Sequence, residues 1–237
     1  MVYPKYIPMG DKAFLVRFGD EISEELNKKV RALALLIDRE RLTGVEELVP
    51  TYRSLMICYN PIKISPKELE KALRELVERI EDVELPEPRV IEVPTVYGGK
   101  YGPDLEFVAR YHGLKPEDVV ELHANKEYLV YMLGFTPGFT FLGGLDERLH
   151  TPRLSTPRKK VPAGSVGIGG KQTGVYAVNS PGGWRLIGRT YLKIYDPKRN
   201  PPILVKAGDY MKFIPIGEDE FLANWNGPLD FAEPVEE

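Results

Sequence analysis

The sequence predicts an α+β protein of two domains, a small α+β domain at residues 1–84 and a β-barrel domain at residues 89–237. Helical and strand patterns alternate throughout the first of these ranges. Two prolines within residues 84–89 break helices and restrain the chain to an extended path, as expected of a linker. After Asn125, short β-rich runs alternate with turns rich in glycine and proline, which is typical of a closed β structure.

The first domain opens with a strand pattern at residues 12–18 and a helix capped by Ser23, whose apolar residues repeat at helical spacing. Two strand-like runs follow at residues 45–50 and 54–59. Ser65 then caps a second helix that has a proline in its first turn, and we expect a further short strand after it. The order β-α-β-β-α-β is that of the split βαβ, ferredoxin-like unit.

The second domain opens with a strand pattern at residues 90–93. Two short helical patterns follow at residues 103–112 and 116–124, separated by the helix-stop residue Gly113. The β-rich runs then occupy residues 127–133, 161–168, 174–178, 190–195, 203–205 and 210–214. A closed or nearly closed barrel is the simplest arrangement of so many short strands.

The composition excludes several classes of protein. Hydrophobic residues make up 43% and charged residues 28%, with a net charge of −3, so no basic excess points to nucleic acid. The single cysteine, Cys58, excludes an intrachain disulfide and lies in an apolar run typical of a core. Without a signal peptide or a membrane-spanning apolar stretch, the chain is expected to be cytoplasmic. His112, His123 and His150 lack paired metal-ligand spacing, so we expect no metal site.

Glycine is unusually dense between residues 134 and 190, and basic side chains are interleaved with it. These are Arg153, Arg158, Lys171, Arg185 and Arg189. Any one glycine is explained by a tight turn or a barrel corner. Bare main-chain N–H groups beside guanidinium groups, however, form the usual site for a carboxylate, a carbamate or a phosphate. The region therefore predicts an anion site at an opening of the barrel.

Familiar nucleotide-binding and catalytic motifs do not fit this region. Residues 165–172 approach the P-loop pattern, but Ser165 stands where the first glycine belongs and Gln172 where the Mg²⁺-binding hydroxyl belongs. No βαβ unit surrounds the glycines, which argues against a dinucleotide fold. Neither Ser165 nor Ser180 lies in a Gly-x-Ser-x-Gly elbow, so a serine hydrolase is not supported.

The same residues closely resemble the KipI family, also called allophanate hydrolase subunit 1 or the 5-oxoprolinase B subunit. The motifs that carry the resemblance are residues 134–139, 153–158, 161–170, 180–184 and 188–190. The resemblance extends over nearly the whole chain. It implies a small α+β domain followed by a cyclophilin-like barrel.

The resemblance also implies a function. The chain would be one subunit of an ATP-dependent 5-oxoprolinase, which converts 5-oxoproline to glutamate, and it would be inactive alone. Its partners would be a KipA-like subunit and a LamB/YcsF-like subunit, with ATP bound somewhere in the complex. Two alternatives remain open: a subunit of the allophanate hydrolase or urea carboxylase type, and an inhibitor that binds a sensor histidine kinase.

Residue chemistry suggests the roles within such a site. Arg153, Arg158 and Arg189 are expected to hold an anionic substrate or a phosphorylated intermediate. Residues 164–170 would supply N–H donors to developing negative charge, and Gln172 with Thr173 would orient the reacting amide. The further substrate-binding candidates are Gly138, Phe139, Gly164, Ser165, Gly167, Gly169, Gly170, Gly183 and Trp184.

Overall fold

The computed structural model describes residues 3–233 and Val235. The chain divides into two compact units, Met1–Glu87 and Pro88–Glu237. Each unit has a hydrophobic core of its own.

The first unit combines a four-stranded antiparallel sheet with two helices. Its elements are β1 (Lys5–Met9), β2 (Ala13–Arg17), α1 (Glu24–Glu40), β3 (Val45–Pro50), β4 (Ser54–Tyr59) and α2 (Pro66–Val77), followed by a short 3₁₀ turn at Ile80–Asp82. The strands are ordered β1-β2-β4-β3. Alternate residues of the central strands, such as Phe14 and Leu55, pack with Leu33 and Leu73 of the helices in the core.

Both helices of the first unit begin at the caps that the sequence predicts. The Ser23 hydroxyl accepts a hydrogen bond from the Leu26 N–H at 3.2 Å. Ser65 forms a reciprocal capping box with Glu68, in which each side chain accepts from the other residue's N–H. These contacts satisfy N–H groups that the first helical turn leaves without a main-chain partner.

The predicted β-α-β-β-α-β order is wrong at both ends of the first unit. The observed order is β-β-α-β-β-α, because residues 5–9 form a strand that the sequence did not predict. The expected strand after the second helix is absent, and residues 83–89 form neither helix nor strand. Pro86 and Pro88 lack the N–H donors that strand pairing in that segment would need. β1 instead flanks β2 at the edge of the sheet, where a residue such as Pro8 is tolerated.

In the described residues, the second unit contains nine strands and three helices. They are β5 (Val90–Tyr97), α3 (Leu105–His112), α4 (Pro116–Ala124), β6 (Glu127–Leu133), β7 (Thr140–Gly143), β8 (Arg158–Val161), β9 (Ser165–Gly169), β10 (Gln172–Val175), β11 (Ser180–Gly182), β12 (Arg185–Thr190), β13 (Tyr210–Pro215) and α5 (Glu218–Asn224). A 3₁₀ turn lies at Glu147–Leu149.

Seven of these strands close into a barrel in the order β10-β7-β6-β13-β5-β12-β9, and β9 pairs back to β10. β13 runs parallel to β5, and the other barrel pairings are antiparallel. β8 and β11 form a separate two-stranded sheet. Val130, Ile168 and Phe213 are among the side chains buried inside the barrel.

The strongest periodic patterns of the second unit are confirmed. The helices predicted at residues 103–112 and 116–124 correspond to α3 and α4, and Gly113 ends α3 in the left-handed conformation with φ 66°. The strand predicted at residues 127–133 is β6. The closed barrel is consistent with the cyclophilin-like expectation.

The strands predicted at residues 90–93 and 210–214 lie in β5 and β13, but three other strand predictions of the second unit are wrong. The run predicted at residues 161–168 is divided by a turn at residues 162–164 into β8 and β9. The runs predicted at residues 190–195 and 203–205 contribute a single bridge between Tyr195 and Ile203. β12 was not predicted because its arginines and its glycine are typical of a loop, although every residue of the strand is buried.

Candidate functional site

Residues 164–170 do not form the open loop of N–H donors that the sequence predicted. Within this range β9 pairs with β10 on one side and β12 on the other. The Gly164 N–H donates to the Tyr176 carbonyl at 2.7 Å, and the Gly170 N–H donates to the Thr151 carbonyl at 2.8 Å. The main chain is therefore engaged in barrel pairing, which corrects the donor role expected of Gly164, Ser165, Gly167, Gly169 and Gly170.

Two of these glycines, together with Gly174, instead make room for Trp184. A Cβ atom at Gly169 would lie 2.4 Å from the indole Nε1, and one at Gly174 would lie 3.1 Å from Cζ3. A Cβ at Gly167 would lie 3.3 Å from the Trp184 Cβ. Real Cβ atoms do not approach another atom as closely as 2.4 Å. The position of the Trp184 side chain therefore requires a glycine at residue 169. Trp184 is a buried core residue.

Thr173 belongs to a hydrogen-bonded chain inside the barrel and is not placed to orient a substrate amide. Its Oγ1 lies 2.8 Å from His123 Nε2 and donates to the Gly167 carbonyl at 3.1 Å. His123 Nδ1 lies 2.8 Å from the Tyr97 hydroxyl. Thr173 and His123 are fully buried, whereas the neighbouring Gln172 is half-buried on β10.

The hydrogen bonds of this chain fix the state of His123. Because Thr173 donates its proton to Gly167, its oxygen must accept from His123 Nε2–H. Nδ1 is then the acceptor, and the Tyr97 hydroxyl donates to it. Burial lowers the pKa of His123 to about 3 and raises the pKa of Tyr97, so both groups are neutral near pH 7.

Arg158 is buried in an internal ion pair and is not available to hold a substrate. Its Nη1 and Nη2 donate to the two carboxylate oxygens of Asp104 at 2.9 and 2.8 Å. The same carboxylate accepts from the Leu186 N–H at 2.6 Å. A bidentate pair with a further N–H donor satisfies both charges, and Asp104 thereby links the start of α3 to Arg158 on β8 and to the main chain of β12. The predicted ligand-binding role of this residue is corrected accordingly.

Four of the other predicted site residues meet at an aromatic cleft of about 260 Å³. They are Arg153, Phe139, Gly183 and Trp184. The exposed guanidinium of Arg153 lies 5.7 Å from the centre of the Trp184 ring. Phe135 closes the rim with φ 63°, a backbone conformation that bulky residues rarely adopt. Gly138, which has φ 76°, lies in the same turn, where a Cβ would meet Tyr195 at 3.0 Å.

Arg189 lies at the end of β12 in a larger cleft of about 520 Å³. The side chain is only 2% exposed. Its Nε donates to the Ala163 carbonyl at 3.0 Å and its Nη1 to the Asp230 carbonyl at 2.5 Å. The Trp225 ring covers the guanidinium, with 4.4 Å between the ring centre and Cζ.

The charge of Arg189 is only partly compensated. Among the described residues, the nearest carboxylate oxygen is Asp230 Oδ1, which lies 3.7 Å from Nη2, beyond hydrogen-bond distance. Burial lowers the pKa of Arg189, although the group stays protonated at neutral pH. The Asp230 carboxylate itself is 2.5 Å from Lys160 Nζ, and that contact is the main reason its pKa is lowered.

The remaining walls of this cleft combine flat aromatic rings with side-chain amides, and the sequence reasoning missed them. They are Asn179, Tyr191, Tyr195, Trp225 and Asn226. Tyr191 and Tyr195 follow β12 directly, so they could have been inferred from proximity to Arg189. Trp225 and Asn226 come from the far end of the chain and carry no local pattern that points to the cleft.

The described residues do not include a group of three or more histidine, cysteine or acidic side chains positioned to hold a metal ion. Among the helices of residues 3–233, none combines the length and the apolar character needed to cross a bilayer.

Comparison with known families identifies the chain. Residues 4–205 match the family described as carboxyltransferase domain, subdomain C and D. The chain belongs to this carboxyltransferase family. The KipI-type resemblance seen in the sequence is thereby confirmed, since relatives of the family are named as the B subunit of 5-oxoprolinase.

Two relatives within the carboxyltransferase family show the extent of the similarity. The 5-oxoprolinase B subunit of Bacillus subtilis is 46% identical over 229 residues, which cover 91% of this chain and 94% of that protein. The 5-oxoprolinase B subunit of Escherichia coli O157:H7 is 46% identical over 212 residues, covering 89% of this chain and 95% of that protein. The crystal structure of TTHA0988 superposes with a TM-score of 0.77 at 39% identity, over 87% of this chain and 40% of that one.

Proposed function

We propose that this chain is the B subunit of an ATP-dependent 5-oxoprolinase, acting with a KipA-like subunit and a LamB/YcsF-like subunit. The names of its relatives support this function over the allophanate hydrolase or urea carboxylase alternative. ATP is assigned to the assembled complex, because residues 165–172 depart from the P-loop pattern and lie in barrel strands. The chain alone is proposed to be inactive.

The observation that carries the proposal is the buried, partly compensated guanidinium of Arg189. 5-Oxoproline has one carboxylate and one lactam amide on a nearly flat five-membered ring. A carboxylate entering the cleft can bond to Nη2 of Arg189 while the ring lies against Tyr191 or Tyr195. The amides of Asn179 and Asn226 line the same cleft and match the lactam N–H and C=O in chemistry.

The role proposed for this cleft is to hold and orient the lactam while the complex opens it. Hydrolysis of the lactam adds one water molecule across the amide bond, and a second water molecule is consumed as ATP is converted to ADP and phosphate. Negative charge develops on the lactam oxygen as the bond is attacked, and the side-chain amide N–H groups of Asn179 and Asn226 can donate to it. Arg189 keeps its position because its Nε is bound to the Ala163 carbonyl.

Substitution of Arg189 tests the proposal in the reconstituted three-subunit complex. Arg189→Gln should lower ATP-dependent release of glutamate from 5-oxoproline by about 10²–10³-fold. Arg189→Lys should recover a small part of the activity, because a lysine retains the charge but not the planar pair of donors. Arg110→Gln, an exposed arginine on α3, is the matched control and should leave turnover unchanged.

Assembly of the complex and thermal unfolding are measured for every variant, so that loss of structure is separated from loss of chemistry. Turnover by a correctly assembled Arg189→Gln complex within a few-fold of wild type would contradict the proposed role of the cleft.

A second function, binding of a sensor histidine kinase, is favoured by the aromatic cleft. Phe135 is 64% exposed at the rim of that cleft, and large exposed aromatic side chains are typical of protein-binding surfaces. This function predicts a stoichiometric complex with the kinase that Phe135→Ser abolishes and Arg189→Gln does not affect. Absence of such a complex for the wild-type chain would exclude it.

A further inference from the structure

The segment after α5 crosses the Arg189 cleft and supplies one of its walls. Residues 225–233 form neither helix nor strand. Trp225 covers the guanidinium of Arg189, and the Asp230 carbonyl accepts from its Nη1. Farther along, the Glu233 carbonyl accepts from Arg158 Nε at 2.8 Å. We refer to residues 225–233 as the strap.

The strap is held mainly by side-chain contacts, among them the packing of Phe231 against the Tyr101 ring. In the described part of the chain, no main-chain to main-chain hydrogen bond joins residues 226–233 to the barrel strands. Two of its apolar side chains are poorly buried, since Leu229 is 43% exposed and Phe231 is 38% exposed. Segments with little apolar burial and few main-chain hydrogen bonds open at low free-energy cost.

The Asp230 carboxylate lies beside two cationic side chains, Lys160 and Arg189. It makes an ion pair with Lys160 at 2.5 Å and, within residues 3–233, is the carboxylate nearest to Arg189 at 3.7 Å. It reaches Arg189 without the bidentate geometry that guanidinium and carboxylate groups prefer. A free carboxylate has no chain attached, so it can approach Nη2 closely and use the same two cations.

We propose that the strap is a displaceable internal occupant of the cleft, in which Asp230 stands in for the carboxylate of the ligand. The ligand class is a small carboxylate, and its identity as 5-oxoproline rests on the proposed function. Ligand binding exchanges one carboxylate for another at Arg189 and Lys160, so the buried charge is never left without a partner. The apparent affinity of the ligand is reduced by the fraction of molecules in which the strap is closed.

Removal of the internal carboxylate therefore tightens binding. Asp230→Asn should bind 5-oxoproline about two- to fivefold more tightly than the wild-type chain, which is the range expected from loss of one partly exposed ion pair. Asp219→Asn is the matched control, because Asp219 is exposed on α5 and lies outside the cleft. Adding Arg189→Gln to Asp230→Asn should abolish the gain. Titration calorimetry on the full-length chain measures all four proteins.

Hydrogen exchange of the wild-type chain gives a second measurement that needs no variant. Addition of 5-oxoproline should accelerate exchange in peptides that span residues 225–233 and slow it in β12. Slower exchange in the strap on ligand addition, or an affinity of Asp230→Asn for both 5-oxoproline and glutamate equal to or below that of wild type, would overturn the proposal.

The two proposals fail in different ways. If Asp230→Asn gains affinity for glutamate but not for 5-oxoproline, the strap is retained and the proposed function is contradicted. If the complex requires Arg189 for turnover while Asp230→Asn gains affinity for neither carboxylate, the proposed function is retained and the strap is rejected.

Discussion

Buried His123 imposes a pH dependence on the stability of the barrel. Its pKa falls from an ordinary 6.5 to about 3 because burial penalises the charged imidazole. The folded protein keeps the ring neutral, whereas the unfolded chain takes up a proton below pH 6.5. The stability contributed by this group is therefore complete above pH 6.5 and is lost as the pH falls toward 3. At about 1.4 kcal/mol per pH unit, lowering the pH from about 7.5 to about 5 costs ~2 kcal/mol.

His123→Gln removes the titrating imidazole. The glutamine amide retains an acceptor for the Tyr97 hydroxyl and a donor for Thr173. We expect the variant to be less stable at neutral pH by about 1–3 kcal/mol, because it alters two buried hydrogen bonds. The contact between the imidazole and Phe213, with ring centres 4.4 Å apart, is lost as well. Between about pH 7.5 and 5, however, the variant should lose ~2 kcal/mol less stability than the wild type.

Urea unfolding followed by tryptophan fluorescence measures this difference without interference from the first unit. Both tryptophans, Trp184 and Trp225, lie in the second unit, so the signal reports the barrel. The pKa of His112 is also lowered by burial, but that residue is the same in both proteins and its contribution cancels. Parallel stability-against-pH curves for the wild type and His123→Gln would refute a neutral, buried His123.

Two further substitutions test the corrected roles of predicted site residues by the same unfolding assay. Arg158→Met leaves the Asp104 carboxylate buried without its cation, so we expect a loss of about 3–5 kcal/mol, and a loss below about 1 kcal/mol would contradict the buried pair. Gly169→Ala places a Cβ 2.4 Å from Trp184 Nε1 and should cost about 1–3 kcal/mol. The matched control is Gly183→Ala, whose Cβ would meet Pro157 at an ordinary 3.5 Å. Equal losses of stability in the two alanine variants would contradict the packing role of Gly169.

The sequence predicted the elements whose own periodicity or capping residues define them. α3, α4 and β6 were found because a helix or strand buried on one face shows its period in the sequence. β1 was missed because it is an edge strand without a fully buried residue, and β12 was missed because its burial depends on strands distant in the chain. β12 is buried along its whole length between β5 and β9, and no local pattern shows that its two arginines lie inside the protein.

The sequence predicted the chemical character of the candidate site but not the groups that contact its arginines. Residue type indicates that an arginine carries a charge, but not which group neutralises it. The partner of Arg158 is Asp104, 54 positions earlier in the chain, and the main contacts of Arg189 include Trp225 and Asp230 near its end. The glycine cluster was misjudged for the same reason, since the density that suggested bare N–H groups in fact accommodates Trp184.

Burial and compensation together distinguish the three arginines that the sequence treated as equivalent. Arg153 is exposed, so water screens its charge and its attraction for an anion is weak. Arg158 is buried, but Asp104 already uses two of its donors. Arg189 combines a buried charge with a donor, Nη2, that has no carboxylate oxygen of the described residues within hydrogen-bond distance. In a low dielectric such a charge attracts an anion strongly. Arg158 provides no comparable attraction, because Asp104 already neutralises its charge in the folded protein.

Gly164 contributes to the candidate anion site by positioning Arg189, whereas the sequence predicted that it would donate its own N–H to the anion. A Cβ at this position would lie 2.3 Å from the Thr190 carbonyl oxygen and 3.5 Å from Arg189 Cγ, and the residue has φ 83°. Only glycine allows the turn at residues 162–164 to approach the end of β12 so closely. That approach brings the Ala163 carbonyl to Arg189 Nε and fixes the guanidinium in the cleft. The glycine thus serves the anion site by positioning its cation, while its own N–H is bound to the carbonyl of Tyr176.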